Sequence, residues 1–445
     1  MLSYVKIRNF KSILDVTVDF SYAEGKAPNN YEQLNTIPFL EVDKKNRFVP
    51  CMAFYGANAS GKSNIITALF VLNQILKKGI IGNYFPNKLN QKYDYSSFEI
   101  EFFKDKAKYN FYIEYNAFFI KKEKLLKNNK TLYSIDKSSK NNFKNIQTED
   151  YNSDKFNNII DVECSQFQTI QSNELELNES IENINNKVQI VPFISRINIG
   201  YRGLNKDLVD AFNYLISSIV ISLTNNIPYR DSLAILSNNK NDNESLQQSF
   251  NKIAEILKKF DIDISKMSLN RELKNPQEQL TDIPAFIEQN VNNNVLRLEY
   301  INSYHQDINN KEVKFNFFRE ESNGTQILLS LIGFVLYSLE NGTALIIDEI
   351  DRAIHPMLLI QIIKMFKDKD YNKKNAQLIF TCHATDILSE EIFRISEVSF
   401  INKNLKQGTT IKRISDFKDK DIRNVTDFRK LYWNGVFGGI PYPYI

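Results

Sequence analysis

The stretch GANASGKS, Gly56–Ser63, decides the fold. An apolar run, Phe48–Tyr55, leads into it. The run that follows, Asn64–Lys78, carries Ile65, Ile66, Leu69, Leu72, Ile75 and Leu76 on one helical face, with two lysines in its last turn and Gly79 after it. Strand, glycine loop and helix in that order are what the pattern G-x-x-x-x-G-K-[ST] needs to hold a phosphate. The glycines let the backbone curl until its N–H groups point at phosphate oxygens, and the helix N-terminus adds partial positive charge. Gly56, Asn58, Ser60, Gly61 and Asn64 are the expected lining. Lys62 is expected on the terminal phosphates and the Ser63 hydroxyl on Mg²⁺. The loop predicts an α/β fold that holds a nucleoside triphosphate.

Outward from the loop, ALIIDEID, Ala344–Asp351, is an apolar strand that ends in carboxylates. Such a strand delivers Asp348 to the Mg²⁺ shell, and Glu349 can orient and deprotonate a water for attack on the γ-phosphate. The plainer reading is a strand followed by an acidic helix cap. Another apolar run, AQLIFTCH, ends at His383. It puts a histidine at the carboxyl end of a strand, where open α/β sheets bind ligands; the plainer role is a surface cap. Then comes ESNGTQ, Glu321–Gln326, which opens directly into the apolar run Ile327–Leu339. Ser322 and Gly324 put a hydroxyl and backbone N–H groups at a helix N-terminus, which is a second anion site. A simple cap with Gln326 behind it is the alternative. One chain already has a phosphate loop, so a second contact to the γ-phosphate implies a site completed across a dimer.

The 445 residues have room for two or three compact units or one large domain, and 42% apolar content supplies a core. Lys+Arg at 56 nearly balance Asp+Glu at 53, so any nucleic-acid face must be a local patch. Cys51, Cys164 and Cys382 have no paired spacing, which argues against a disulfide framework or zinc site and fits a reducing compartment. The start, MLSYVKIRNFKS, lacks the apolar centre of a signal peptide. Ile327–Leu339 is shorter than the about 20 residues that span a bilayer. A soluble cytoplasmic protein with no membrane contact is expected. Residues 2–20 read as strands around a turn at Asn9–Ser12, and Ser97–Ile120 as strands. Residues 121–188, lysine-rich and then acidic, read as a solvated insertion, or else as lysines that touch nucleic acid or a partner. Asp207–Leu223 and Ser245–Phe260 read as helices, Val313–Phe318 and Gln377–Thr381 as strands, and Met357–Phe366 as a helix. The DKD triplets at 368–370 and 419–421 lie in lysine-rich turns and read as solvated rather than metal-binding.

The order of phosphate loop, S-x-G-x-Q loop, carboxylate strand and strand-end histidine resembles the ABC-type ATPase heads of the chromosome-maintenance (SMC), RecF and OLD proteins. IRNFKS, Ile7–Ser12, looks like their opening turn. More narrowly, YGANASGKSN, ESNGTQ, DEIDRAIHP and the ending YWNGVFGGIP (Tyr432, Gly435, Gly438, Pro441) resemble the bacterial abortive-infection ATPases AbiLi and RloA, grouped with AAA family ATPases. The resemblance covers nearly the whole chain and is weakest over 121–188. It implies a P-loop NTPase of the ABC-ATPase head type, with a mixed sheet, an antiparallel β-lobe and a helical insertion. The lobes would divide as 1–120 (N-terminal ATPase lobe), 121–312 (insertion and helical region) and 313–445 (C-terminal ATPase lobe).

The resemblance also implies ATP hydrolysis to ADP and phosphate, with Glu349 and His383 catalytic and Ser63 and Asp348 on Mg²⁺. Ser322 and Gly324 would meet ATP held by the opposite protomer of a homodimer, Asp351 would lie in the loop facing it, and Gln326 and Asp351 would also count among the nucleotide-binding residues. The implied function is an ATP-driven switch in antiphage defence with a separate nuclease or toxin effector encoded nearby, of the Toprim or RloB-like kind. Too few residues follow His383 for the Toprim domain that OLD nucleases carry. The rival is a RecF-like DNA-repair clamp; a transporter motor fits neither the insertion nor the ending. The chain departs from the ABC pattern in two places. The glutamine that those ATPases use between their lobes has no clear position, since Gln166, Gln168 and Gln171 stand in a weak context. After Asp351, RAI replaces the more usual small and leucine residues.

Overall fold

The strand that leads into the phosphate loop, Cys51–Tyr55, is buried along its whole length, as are Ala344–Asp348 and Gln377–Thr381. Strands covered on both faces read as continuous apolar runs and belong in parallel sheets. The computed structural model describes residues 1–23, 36–90, 92–136, 191–195, 206–222, 243–274, 286–289, 296–352, 354–404, 408–417 and 427–440. In chain order its strands are β1 (Leu2–Phe10), β2 (Ile13–Asp19), β3 (Leu40–Glu41), β4 (Arg47–Phe48), β5 (Cys51–Tyr55), β6 (Ser96–Lys104), β7 (Ala107–Tyr115), β8 (Ile120–Lys127), β9 (Lys130–Asp136), β10 (Ile219–Ser222), β11 (Lys266–Lys274), β12 (Phe286–Gln289), β13 (Leu296–Gln306), β14 (Glu312–Asn316), β15 (Ala344–Asp348), β16 (Gln377–Thr381), β17 (Val398–Asn404) and β18 (Gly408–Arg413). The helices are α1 (Lys62–Lys78), α2 (Lys206–Ser217), α3 (Asn243–Lys259), α4 (Phe317–Glu320), α5 (Asn323–Asn341), α6 (Pro356–Phe366) and α7 (Phe428–Trp433).

Twelve strands form one sheet in the order β10-β15-β16-β5-β17-β18-β2-β1-β6-β7-β8-β9. From β10 to β17 neighbours run parallel. From β17 to β9 they run antiparallel. This is the α/β P-loop fold with a mixed sheet and an antiparallel β-lobe. Side chains alternate across the parallel half, as the two-residue strand period requires. Cys51, Ala53, Tyr55, Leu345, Ile347, Leu378 and Phe380 join the core under α3, α5 and α6. Met52, Phe54, Ala344, Ile346 and Ile379 join the core under α1 and α2. The helix of the phosphate loop and the helix of the ESNGTQ loop therefore pack on opposite faces of the sheet.

The structure departs from the sequence reading in several places. The expected helix Asp207–Leu223 ends at Ser217, and Ile219–Ser222 pairs in parallel with β15. Periodicity alone does not separate a short buried strand from a helix, and the β-branched Ile219-Val220-Ile221 favours the strand. The lysine-rich stretch after residue 120 is not the start of a solvated insertion, because β8 and β9 extend the β-lobe to Asp136. Ile120, Glu123 and Leu125 are its buried positions, and the lysines stand between them. Those lysines meet carboxylates: Lys121–Glu114 at 2.9 Å, Lys122–Asp136 at 3.2 Å and Lys127–Asp207 at 2.7 Å. The expected strand Val313–Phe318 stops at Asn316, where Phe317 turns inward to the core as α4 begins.

β11, β12 and β14 pair with β13 in a second, four-stranded sheet, of which only β14 was expected as a strand. The DKD at 368–370 is a turn in which Asp368 accepts from the Asp370 N–H at 2.7 Å. Cys164, Gln166, Gln168, Gln171, the acidic run 149–182, the second DKD and Pro441 lie outside the described residues. Among the described residues no helix is long and apolar enough to cross a membrane.

Candidate nucleotide-binding site

The parallel strands bring their carboxyl ends to one edge, and the phosphate loop, Asp348, Thr381 and His383 all stand there. α1 begins at Lys62, two residues before the expected start at Asn64, because the loop backbone sets its start. Gly61, the residue before it, has φ 108°, and a Cβ there would lie 2.1 Å from Thr409 Oγ1. Both the backbone and the available space demand glycine. No side chain caps α1, so its first N–H groups face the loop. Lys62 is 6% exposed and folds back over the loop, where its ammonium donates to the Gly56 carbonyl at 2.5 Å and the Ala57 carbonyl at 3.0 Å. Burial pushes the Lys62 pKa below the ordinary lysine range, against the pull of Asp348, Glu349 and Asp351. Ser60 Oγ is buried in the same loop with no partner. A buried cation and an orphaned hydroxyl at an uncapped helix start fit an anion such as a phosphate.

The carboxylate end of β15 meets this loop. The Ser63 hydroxyl donates to Asp348 Oδ1 at 3.2 Å. Thr381, fully buried at the end of β16, donates to the same oxygen at 2.6 Å and accepts from the Glu349 N–H at 2.7 Å. Sequence reasoning missed Thr381; its signal was a lone hydroxyl in a row of apolar residues one strand away from the carboxylates. Glu349 has φ 53°, unusual for a non-glycine residue, and so turns the chain sharply as it leaves the strand. Arg352 donates to Glu349 Oε2 at 3.3 Å. Among the described residues no cluster of three or more His, Cys, Asp or Glu could hold a metal. A Mg²⁺ at Ser63 and Asp348 would draw its other ligands from phosphate and water, as that ion does in nucleotide sites.

Asp351 turns into its own chain. Its Oδ2 accepts from the backbone N–H groups of His383, at 2.8 Å, and Ala384, at 2.7 Å, while Oδ1 is buried without a partner. The carboxylate thus clamps the loop after β15 to the loop after β16 and fixes the backbone at His383, whose side chain is exposed. Asn64 is not aimed at a ligand either: its amide donates to Ser12 Oγ at 2.6 Å. Ser12 shares a 2.6 Å hydrogen bond with Thr409, which donates to the Ser60 carbonyl at 3.2 Å. The IRNFKS turn and β18 therefore support the phosphate loop from behind. The ending YWNGVFGGIP supports it too. Tyr432 and Phe437 stack on Phe400, with ring centroids 5.2 and 4.5 Å away. A Cβ on Gly439 would stand 3.2 Å from Gly56 Cα. Asn58 is exposed at the loop's tip.

The ESNGTQ loop is built differently. Ser322 caps α5: its Oγ accepts from the Thr325 N–H at 3.1 Å and shares a 2.8 Å bond with Thr325 Oγ1. The Gln326 amide turns inward and donates to the carbonyls of Phe318, at 3.2 Å, and Glu321, at 3.0 Å. Ser322, Asn323 and Gly324 are exposed. A Cβ on Gly324 would meet nothing closer than Ser322 Oγ, at 3.8 Å. Its φ is not in the left-handed region, so neither backbone nor packing within the chain requires glycine there. Yet glycine weakens a helix relative to alanine, by roughly 0.5–1 kcal/mol in its middle and less in the first turn, where Gly324 stands.

Residues 51–389 match a family of AAA domains whose description ties it to the AbiEii toxin and a "Type IV TA system". Among solved structures, the SMC head domain from Thermotoga maritima is similar at 13% sequence identity and a TM-score of 0.40, over 93% of this chain and 98% of that one. No curated protein matches the chain.

Proposed function

The chain belongs to this family of AAA domains, and from that premise we propose that it is an ATP-binding and ATP-hydrolysing switch subunit that closes as a homodimer around ATP. Lys62 and the loop N–H groups hold the phosphates. Ser63 and Asp348 hold Mg²⁺, which when bound offsets phosphate charge. Glu349 takes the proton from the attacking water, and Thr381 holds the Asp348 carboxylate and the Glu349 backbone in place. His383 stands at the same edge to meet the γ-phosphate.

The observation that carries the dimer is Gly324. It is a helix-weakening glycine with open space around it, on a helix that packs across the sheet from the chain's own phosphate loop. A site that needs close approach from outside explains a residue that the chain itself does not need. Ser322 and Gly324 then face the ATP of the opposite protomer, with Gln326 shaping the loop from behind. The test is ATP-dependent association measured by size-exclusion chromatography with light scattering. Glu349→Gln with ATP and Mg²⁺ runs as a dimer and Lys62→Ala as a monomer. A Glu349→Gln chain that stays monomeric at saturating ATP overturns the reading.

The role we infer is antiphage defence in the cytoplasm, with a nuclease or toxin effector on a separate chain. The resemblance to abortive-infection ATPases and the toxin–antitoxin description of the family support it. Co-purification with the product of the adjacent gene tests it. The RecF-like alternative calls for a basic face toward DNA, and three of the β-lobe lysines, Lys121, Lys122 and Lys127, are instead paired with Glu114, Asp136 and Asp207.

A further inference from the structure

Glu321 opens the ESNGTQ stretch, the signature loop, and stands just outside its S-x-G-x-Q pattern. Its carboxylate crosses to β13, where Oε1 accepts from Ser303 Oγ at 2.5 Å and lies 2.6 Å from His305 Nε2. Facing a carboxylate, that ring nitrogen is the donor. Ser303 is fully buried, and the Glu321 side chain is 10% exposed. Ser303 and His305 are two residues apart on one strand, so they share a face of the second sheet. The His305 ring stands edge-on to Phe315 of β14, with centroids 4.7 Å apart. The Glu321 backbone is held as well: its N–H donates to the Phe317 carbonyl, and its own carbonyl accepts from Gln326.

Nothing in the local fold of the loop calls for a carboxylate here. Ser322 already caps α5, and Phe317 already anchors α4 in the core. Withdrawing a carboxyl group from water costs free energy that its hydrogen bonds must offset. What the arrangement supplies is position. Three side chains from two elements fix the residue next to Ser322 against the central strand of a separate sheet.

We propose that Ser303, His305 and Glu321 are positioning residues for the shared ATP site: they latch the signature loop to the β11–β14 sheet and set where Ser322 and Gly324 stand. The inference rests on the composite-site reading above. It makes the second sheet the element through which a displacement of β13 or β14 reaches ATP hydrolysis without touching the phosphate loop.

The experiment compares His305→Ala, His305→Gln and Ser322→Arg. Three quantities are measured: ATP affinity of the isolated chain, kcat and KM for hydrolysis, and amide hydrogen exchange over 322–327 without nucleotide. His305→Ala should leave ATP affinity unchanged, lower kcat tenfold or more, and speed exchange at Thr325 and Gln326, whose N–H groups bond to Ser322. His305→Gln keeps a donor for Glu321 and should restore most of kcat. Wild-type kcat in His305→Ala, or a glutamine variant as impaired as the alanine one, overturns the latch. If Ser322→Arg blocks hydrolysis while His305→Ala does not, the latch falls and the shared site stands. If Ser322→Arg hydrolyses ATP normally, the shared site falls, and wild-type exchange in His305→Ala then removes the latch too. Should His305→Ala fail to fold, Ser303→Ala removes a single hydroxyl and carries the same expectations.

Discussion

At the scale of single residues, the site divides into groups that chemistry demands and groups that only the fold reveals. Lys62, Ser63, Asp348 and Glu349 could be singled out because the phosphate, metal and water proposed for this site each call for one residue type at a fixed spacing, and the fold brings all four to one edge. Replacing Glu349 by glutamine keeps the shape and removes the base, so we predict ATP binding as in the wild type and hydrolysis slower by roughly 10²–10⁴-fold. Single-turnover kinetics check this, and wild-type turnover would move the base elsewhere. Thr381 was not legible: a threonine is an ordinary strand residue, and only the parallel register puts it beside Asp348. Thr381→Val keeps the volume and leaves the Glu349 N–H without its acceptor. An unsatisfied buried donor costs about 1–3 kcal/mol, an upper bound for this half-buried one. We predict that loss in thermal unfolding together with a lowered kcat; a variant as stable and as active as the wild type would show that the hydroxyl is dispensable.

Elements were legible where one period ran long. α1, α5 and the three buried strands of the site stood out because each has one environment along its length. The reading failed where environments change within a few residues. The apolar run after Lys206 is helix and then edge strand, and the lysines of β8 hid an alternation of which only Ile120, Glu123 and Leu125 are the inward positions. α5 offers the sharpest element-scale test, because its first turn serves two ends. Gly324→Ala meets open space and gains helix propensity, so the nucleotide-free chain should gain up to roughly 0.5–1 kcal/mol. The same methyl should weaken ATP-driven association if that surface meets a partner's ATP. Denaturant unfolding and light scattering measure the two effects separately. A variant that is stabilised and associates normally would leave Gly324 without a reason.

For the whole molecule, the phosphate loop lies against the seam of the large sheet, where β18 and β2 meet at Gly408 and Ile13 and where Ser12 and Thr409 brace Ser60 and Gly61. Residues from both ends of the chain close around it, which is why the opening turn and the ending could be recognised as motifs while their roles could not be derived from sequence. Such a site is complete toward its own core and open toward the outside. The last prediction tests that openness. Ser322→Arg should fold and bind ATP at its own loop, yet fail to hydrolyse it, because a long cation fills the space that a partner's phosphate must enter. Lys62→Ala should fail because its loop has lost the ammonium that now bonds Gly56 and Ala57. Each variant lacks a different half. A mixed dimer holds one pairing of an intact phosphate loop with an intact signature loop and one pairing in which both are broken. Mixing the two inactive chains should therefore restore ATP hydrolysis, toward half of the wild-type rate for each mixed dimer. If the chains associate and activity stays at zero, sites that each work with one partner's loop are ruled out, and hydrolysis must require both pairings at once or none across the interface.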